Sequence, residues 1–134
     1  SNEVMGVNDR IQLADAEASL RHRIILEKMA AGVTVIDPNT TYIDQDVDLG
    51  QDVVVEPGTF IRGQSKIARG AVIGPQAIVE DSEVGENCEI VNSILKQART
   101  GNDSRIIKSY LEQAEVADGE SLINAIRNGE TADR

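Results

Sequence analysis

The sequence predicts a mainly β fold, a solenoid of short hexapeptide coils preceded by one long α-helix. Three observations predict it. Aliphatic residues recur at strict intervals of six, as Ile43, Leu49, Val55, Ile61, Ile67, Ile73 and Val79. A second, smaller series stands two residues earlier, as Thr41, Val47, Val53, Thr59, Ser65, Ala71 and Ala77. The chain of 134 residues has no Trp and three aromatics, Tyr42, Phe60 and Tyr110. An ordinary sandwich or doubly wound core includes several large rings, so a narrower interior is expected.

The first element is a helix over residues 9 to 31. Asn8 or Asp9 can cap it by accepting from the orphan amides of the first turn. Ile11, Ala14, Ala18, Ile25 and Met29 recur near helical spacing, while Arg10, Arg21, Arg23 and Lys28 fill the other faces. Gly32 suits the position after the helix, where positive φ is wanted. The run Val33-Thr34-Val35-Ile36 is β-branched and stops at Asp37-Pro38, which reads as a strand and a turn.

The repeat then continues with shorter steps. Its next large positions are Val84, Ile90, Leu95, Thr100, Ile106, Leu111, Val116 and Leu122. Their partners two residues back are Ser82, Cys88, Ser93, Ala98, Ser104, Ser109, Ala114 and, out of pattern, Glu120. Ile90 to Ala98 matches Ile106 to Ala114, a repeat of sixteen residues. A third copy fails at Arg127, where an aliphatic residue is due. Of 15 large positions only Thr100 is not Ile, Leu or Val.

A six-residue step is a short strand plus a turn, and three steps close one triangular coil. The large residue fills the prism and the small one fits near the corner. Each coil buries three aliphatic side chains, each contributing roughly 1.5–3 kcal/mol when fully buried. Neighbouring coils cover them, so one coil alone would be unstable. About five coils are expected. The tail admits another reading, since Ile106, Ile107, Tyr110, Leu111 and Ala114 also suit an amphipathic helix. The repeat favours coils for 90 to 117. Over 119 to 128 a short closing helix is favoured slightly over strand, with Asp118 or Ser121 as cap and Asn128-Gly129 as stop.

Composition excludes several partners. The net charge of −10 and pI near 4.5 argue against nucleic acid and against an anionic membrane surface. No apolar run reaches the ~18 residues of a spanning helix, and no signal-peptide pattern opens the chain. A single cysteine fits a reducing cytoplasm. Ser1-Asn2 is compatible with the remnant of a tag or with a natural start. Cys88 belongs to the small inward series and reads as packing, not as a nucleophile. His22 lies among charges on the helix with no ligand partner at metal spacing.

Gly6-Val7-Asn8-Asp9-Arg10-Ile11-Gln12-Leu13-Ala14, then Gly32-Val33-Thr34-Val35-Ile36-Asp37-Pro38, then Thr41-Tyr42-Ile43-Asp44 and the hexapeptides carry a family resemblance. They resemble the bacterial bifunctional N-acetylglucosamine-1-phosphate uridyltransferase/glucosamine-1-phosphate acetyltransferase. The likeness is strong over about residues 4 to 93 and weaker beyond. It implies that residues 1 to 32 are the end of the uridyltransferase domain and its linker helix. It implies that 33 to 127 form a left-handed parallel β-helix that assembles as a homotrimer. Residues 128 to 134 are expected to be a flexible tail. The left hand is a family implication, against the general right-handed crossover preference.

The resemblance brings little of the chemistry. It makes Asn8 a Mg²⁺ ligand of the parent uridyltransferase, whose partner Asp belongs to the domain that this chain lacks. One amide oxygen is not an octahedral site, so Asn8 reads as an orphan ligand or a helix cap. The chain itself is expected to hold no cofactor and no catalytic residue. A sugar nucleotide would be met only through the absent domain. The acetyltransferase half of the family uses a His base in a Gly-His-Leu-Ser/Thr-Tyr-Leu-Gly-Asp stretch. Ser109-Tyr110-Leu111 echoes part of it, but no coil contains a His to act as general base.

The leading expectation is therefore a non-catalytic trimerisation scaffold of a uridyltransferase of amino-sugar nucleotide synthesis. The rival is a hexapeptide-repeat acetyltransferase that uses acetyl-CoA on an amino sugar phosphate. A third is a module that binds UDP-N-acetylglucosamine for regulation. Exposed apolar residues off the main series, Val54, Phe60, Val72, Ile78 and Ile94, support assembly.

Overall fold

The computed structural model describes residues 6–129. Helix α1 (Val7–Ala30) is followed by a stack of short strands that fall into three parallel sheets. Face A holds β1 (Thr34–Val35), β4 (Val54–Val55), β7 (Val72–Ile73), β10 (Glu89–Val91), β13 (Arg105–Ile107) and β16 (Ser121–Ile123). Face B holds β2 (Tyr42–Ile43), β5 (Phe60–Arg62), β8 (Ile78–Glu80), β11 (Ile94–Lys96), β14 (Tyr110–Glu112) and β17 (Ile126–Asn128). Face C holds β3 (Asp48–Leu49), β6 (Lys66–Ile67), β9 (Glu83–Val84), β12 (Arg99–Thr100) and β15 (Glu115–Val116). The chain is a left-handed parallel β-helix of about six turns.

The two expected series line its interior. Ile61, Ile73, Val79, Ile90, Leu95, Ile106 and Leu111 have no exposed surface, and Leu49 and Leu122 pack against them half-buried. Thr41, Thr59, Ser65, Ser82, Ser93, Ser104 and Ser109 of the small series are buried as well. Thr100, the one polar large position, uses its hydroxyl to accept from the Gly85 N–H at 3.3 Å.

The small series is more than a packing rule. In the shortened coils a single residue in the left-handed region turns the corner, as at Asp81, Asn92, Gln97, Lys108, Gln113 and Asn124. The amide after that corner residue has no strand partner. At four of these six corners a serine hydroxyl one coil earlier accepts it instead: Ser65 from Ser82, Ser82 from Ala98, Ser93 from Ser109 and Ser109 from Ala125, at 3.0–3.1 Å. Buried amides need such partners, which accounts for the serines at 65, 82, 93 and 109. One-residue corners also explain the period. Val55 pairs with Ile73 but Ile90 pairs with Ile106, so the coil shortens from eighteen residues to sixteen.

Helix α1 differs from expectation at its start. Gly6 is the N-cap, and Asp9 lies three positions in, accepting from the Gly6 N–H at 3.4 Å. Asn8 stands inside the first turn and is not the cap. An acid at the third position reaches back to the cap amide, so glycine suffices at the cap itself. The end matches expectation. Gly32 has φ +104°, its N–H donates to Met29 O, and the Val33 N–H donates to Lys28 O at 3.2 Å. That pairing is a Schellman motif.

Only Ile24 and Ile25 of α1 are buried. Ile11, Ala14, Ala18 and Met29, expected on the packed face, are exposed. The last turns alone reach the coils, so the same helical face further upstream meets nothing among the described residues. Lys28 Nζ donates to Val47 O at 2.6 Å and Gln45 O at 3.3 Å. Arg21 lies 4.5 Å over the Tyr42 ring, Tyr42 stacks on Phe60 at 4.6 Å, and Arg62 lies 4.8 Å over Phe60.

The tail corrects a second expectation. Residues 119 to 128 form β16 and β17, not a closing helix. Their strands pair with β13 and β14, with Leu122 against Ile106 and Arg127 against Leu111. An exposed row of backbone groups on the preceding coil rewards strand more than local capping rewards helix.

Candidate functional site

Alternation along each strand turns one column inward and its neighbours outward. The outward columns differ by face. On face C the column reads Asp48, Lys66, Glu83, Arg99, Glu115, each opposite in charge to the residue above and below. Glu83 and Arg99 approach to 3.5 Å, both largely exposed. On face B a second column also alternates: Asp44, Arg62, Glu80, Lys96, Glu112. Arg62 lies 3.8 Å from Glu80.

Beside that second column runs an apolar one. Tyr42 pairs with Phe60, Phe60 with Ile78, Ile78 with Ile94, Ile94 with Tyr110 and Tyr110 with Ile126. The first five are half-buried and Ile126 is 83% exposed. Val91, Ile107 and Ile123 continue the apolar surface at the end of face A. Between the two faces lies a groove walled by Ile78, Ile94, Tyr110 and Ile126, with the corner residues Asn92, Lys108 and Asn124 along its rim. Of the residues expected to aid assembly, Phe60, Ile78 and Ile94 fall on this column, and Val54 and Val72 lie on face A.

Sequence reasoning missed that Tyr42, Tyr110 and Ile126 complete the column. The signal was available: the residue just before the large position is apolar at every third step, at 42, 60, 78, 94, 110 and 126. All three rings stand outside the prism, as the aromatic shortage implies.

Tyr110 carries a polar device on the column. Its hydroxyl donates to Glu112 Oε1 at 2.6 Å, and this bond to the carboxylate raises the phenol pKa above 10.0. A phenol held that way is a donor, not a base, at neutral pH. Ser109 is buried, and its hydroxyl donates to Ile107 O while accepting from Ala125, so it is occupied by coil stacking.

Asn8 is exposed on the first turn of α1. No group of three His, Cys, Asp or Glu side chains able to hold a metal occurs among the described residues. The residues present do not make a Mg²⁺ site, which needs near-octahedral oxygen ligation. His22 is exposed in mid-helix. Cys88 is buried, with Sγ 2.8 Å from Gly101 O and 3.1 Å from Ser104 Oγ, which fits its reading as a packing residue. No helix among the described residues is long and apolar enough to cross a membrane.

Comparison with known proteins sharpens these observations. No family model matches the chain. The bifunctional protein GlmU of Caldanaerobacter subterraneus subsp. tengcongensis is 44% identical over 95 residues, 71% of this chain. The bifunctional protein GlmU of Staphylococcus haemolyticus is 44% identical over 97 residues, 72% of this chain. Over that stretch the chain is a GlmU relative. It spans only about a fifth of the length of these GlmU proteins (21% and 22%). Among solved structures, the acetyltransferase domain of PglB from Neisseria gonorrhoeae FA1090 matches with a TM-score of 0.54. That match has 18% identity and covers 78% of this chain and 58% of the other, a likeness of fold. Helix α1 and the coils therefore make a GlmU-like β-helix domain.

Proposed function

We propose that this GlmU-like domain is a non-catalytic assembly scaffold that holds three copies side by side. Its parent would be a sugar-1-phosphate uridyltransferase of amino-sugar nucleotide synthesis. The observation that carries the reading is the outward column from Tyr42 to Ile126, which runs the length of face B. A monomeric surface rarely leaves so continuous an apolar strip to water. Closed cyclic association of identical chains covers it without leaving an open surface. The sequence supports the non-catalytic part, because His22 is the only histidine and it lies on α1, not in the coils. In the parent, Asn8 would add one oxygen ligand to a Mg²⁺ whose other ligands come from the nucleotidyltransferase domain. That ion would assist attack of the sugar-1-phosphate on the α-phosphate of UTP.

Sedimentation equilibrium at micromolar concentration tests the assembly. A trimer mass is expected, and Ile94→Glu should reduce it to a monomer while leaving the β spectrum intact. A wild-type monomer overturns the scaffold reading. The second reading, an acetyltransferase using acetyl-CoA on an amino sugar phosphate, is favoured by Tyr110 in the wall of the apolar groove, its hydroxyl hydrogen-bonded to Glu112. Turnover of acetyl-CoA with glucosamine-1-phosphate by the purified chain would decide for it.

A further inference from the structure

Two charged residues break the inward pattern of the repeat. Glu120 stands where a small residue is due, and Arg127 where an aliphatic one is due. The structure brings them together. Arg127 Nη2 donates to Glu120 Oε2 at 2.7 Å, and Nη1 lies 3.4 Å from Oε1. Both side chains are mostly buried, at 14% and 25% exposure, unlike the other ion pairs. Nη1 also donates to Glu115 O at 2.7 Å, and Glu120 Oε1 accepts from the Ala117 N–H at 2.9 Å.

These bonds tie all three faces. Arg127 is on β17 of face B, Glu115 on β15 of face C, and Glu120 directly precedes β16 of face A. Among the described residues, β15, β16 and β17 each end their sheet. Among the described residues no strand lies above Val116 on face C, and it is still only 4% exposed.

We propose that Glu120 and Arg127 form a polar plug across this end of the prism, which stops a second copy from stacking there tail to tail. Restoring the repeat at both positions would leave an apolar triangle rimmed by unpaired strand edges. Such an end is complementary to itself, because strand edges template further pairing. Terminal repeats of solenoids need a polar outer face for the same reason. The other end is not available for stacking, since Ile24 and Ile25 of α1 are buried there. Removal of the plug should therefore give one doubling and not a fibre.

The test is sedimentation velocity of the full chain over a hundredfold concentration range. Wild type should keep one mass, whatever its oligomeric state. Glu120→Ala/Arg127→Leu should show twice the wild-type mass at the highest concentrations. The charge-swapped Glu120→Arg/Arg127→Glu variant should keep the wild-type mass. An unchanged mass in the double variant with its β spectrum intact overturns the proposal, as does open-ended growth. Should the double variant unfold, Arg127→Gln decides alone: doubling supports the plug and a fixed mass overturns it. The result is read as a ratio to wild type, so it stands whether or not the side-by-side trimer exists.

Discussion

At its first coil the solenoid is covered by a helix, and at its last by one ion pair. The first cover is apolar and large. Ile24 and Ile25 lie on the prism, Lys28 reaches two carbonyls near face C, and Arg21 rests on the Tyr42–Phe60 stack. The second cover is polar and small, with Arg127 and Glu120 spanning the triangle. Both leave the terminal aliphatic layer shielded, but by different physics. Apolar area removed from water is insensitive to pH, whereas a paired charge holds only while both partners are ionised. The helix end should therefore be the durable one and the plugged end the one that opens first.

Predictions that break or sharpen this contrast can be ranked by size. Ile73→Asp strikes between the ends, placing an unpaired charge at a fully buried position. It should abolish cooperative unfolding in a urea titration followed by circular dichroism. Ile25→Ala strikes the helix end alone, and should lower the unfolding free energy by about 2–5 kcal/mol. Tyr42→Ala removes one ring of the stack and the seat of Arg21. A loss of about 1–2 kcal/mol is expected, with faster exchange of the α1 amides.

The next effect separates the ends by pH. The Arg127 hydrogen bond lowers the Glu120 pKa below 4.5. The fold thus favours the ionised carboxyl, and its contribution is complete above that ordinary value. It is lost as pH falls through the depressed folded value. Hydrogen exchange at acidic pH should show β16 and β17 opening before β1 and β2; simultaneous opening would remove the contrast. Smallest of all is Arg99→Ala on face C, whose exposed pairing with Glu83 contributes no more than about 1 kcal/mol. Its denaturation midpoint should stay close to wild type.

The prism was legible in the residues because burial imposes a period. Every large position from Ile43 to Val116 reads inward except the half-buried Leu49, and the small series follows two residues behind. The Schellman end of α1 was legible at Gly32 for an equally local reason. Two things were not. The extent of helix packing depends on where the coils stop, which no spacing in Ile11, Ala14 and Ala18 encodes. The strands at 121–123 and 126–128 depend on the coil beneath them, while the local signals there also suit a helix. The candidate face was half legible. Phe60, Ile78 and Ile94 stood out as apolar residues off the series, but their alignment needs the strand register. Glu120 and Arg127 were visible as breaks in the pattern, and only the triangular closure shows that the breaks are one event.

The alternating columns of faces B and C give the stack a parity. Each coil carries charge opposite to its neighbours, from Asp44 and Asp48 through Arg62 and Lys66, Glu80 and Glu83, Lys96 and Arg99, to Glu112 and Glu115. Excising the coil that holds Lys96 and Arg99 would set Glu80 against Glu112 and Glu83 against Glu115, and like charges directly opposite are destabilising. Excising the coil of Glu80 and Glu83 along with it would set Arg62 against Glu112 and Lys66 against Glu115, and the alternation returns. A solenoid of this charge pattern is thus open to change in length by pairs of coils and resists change by one.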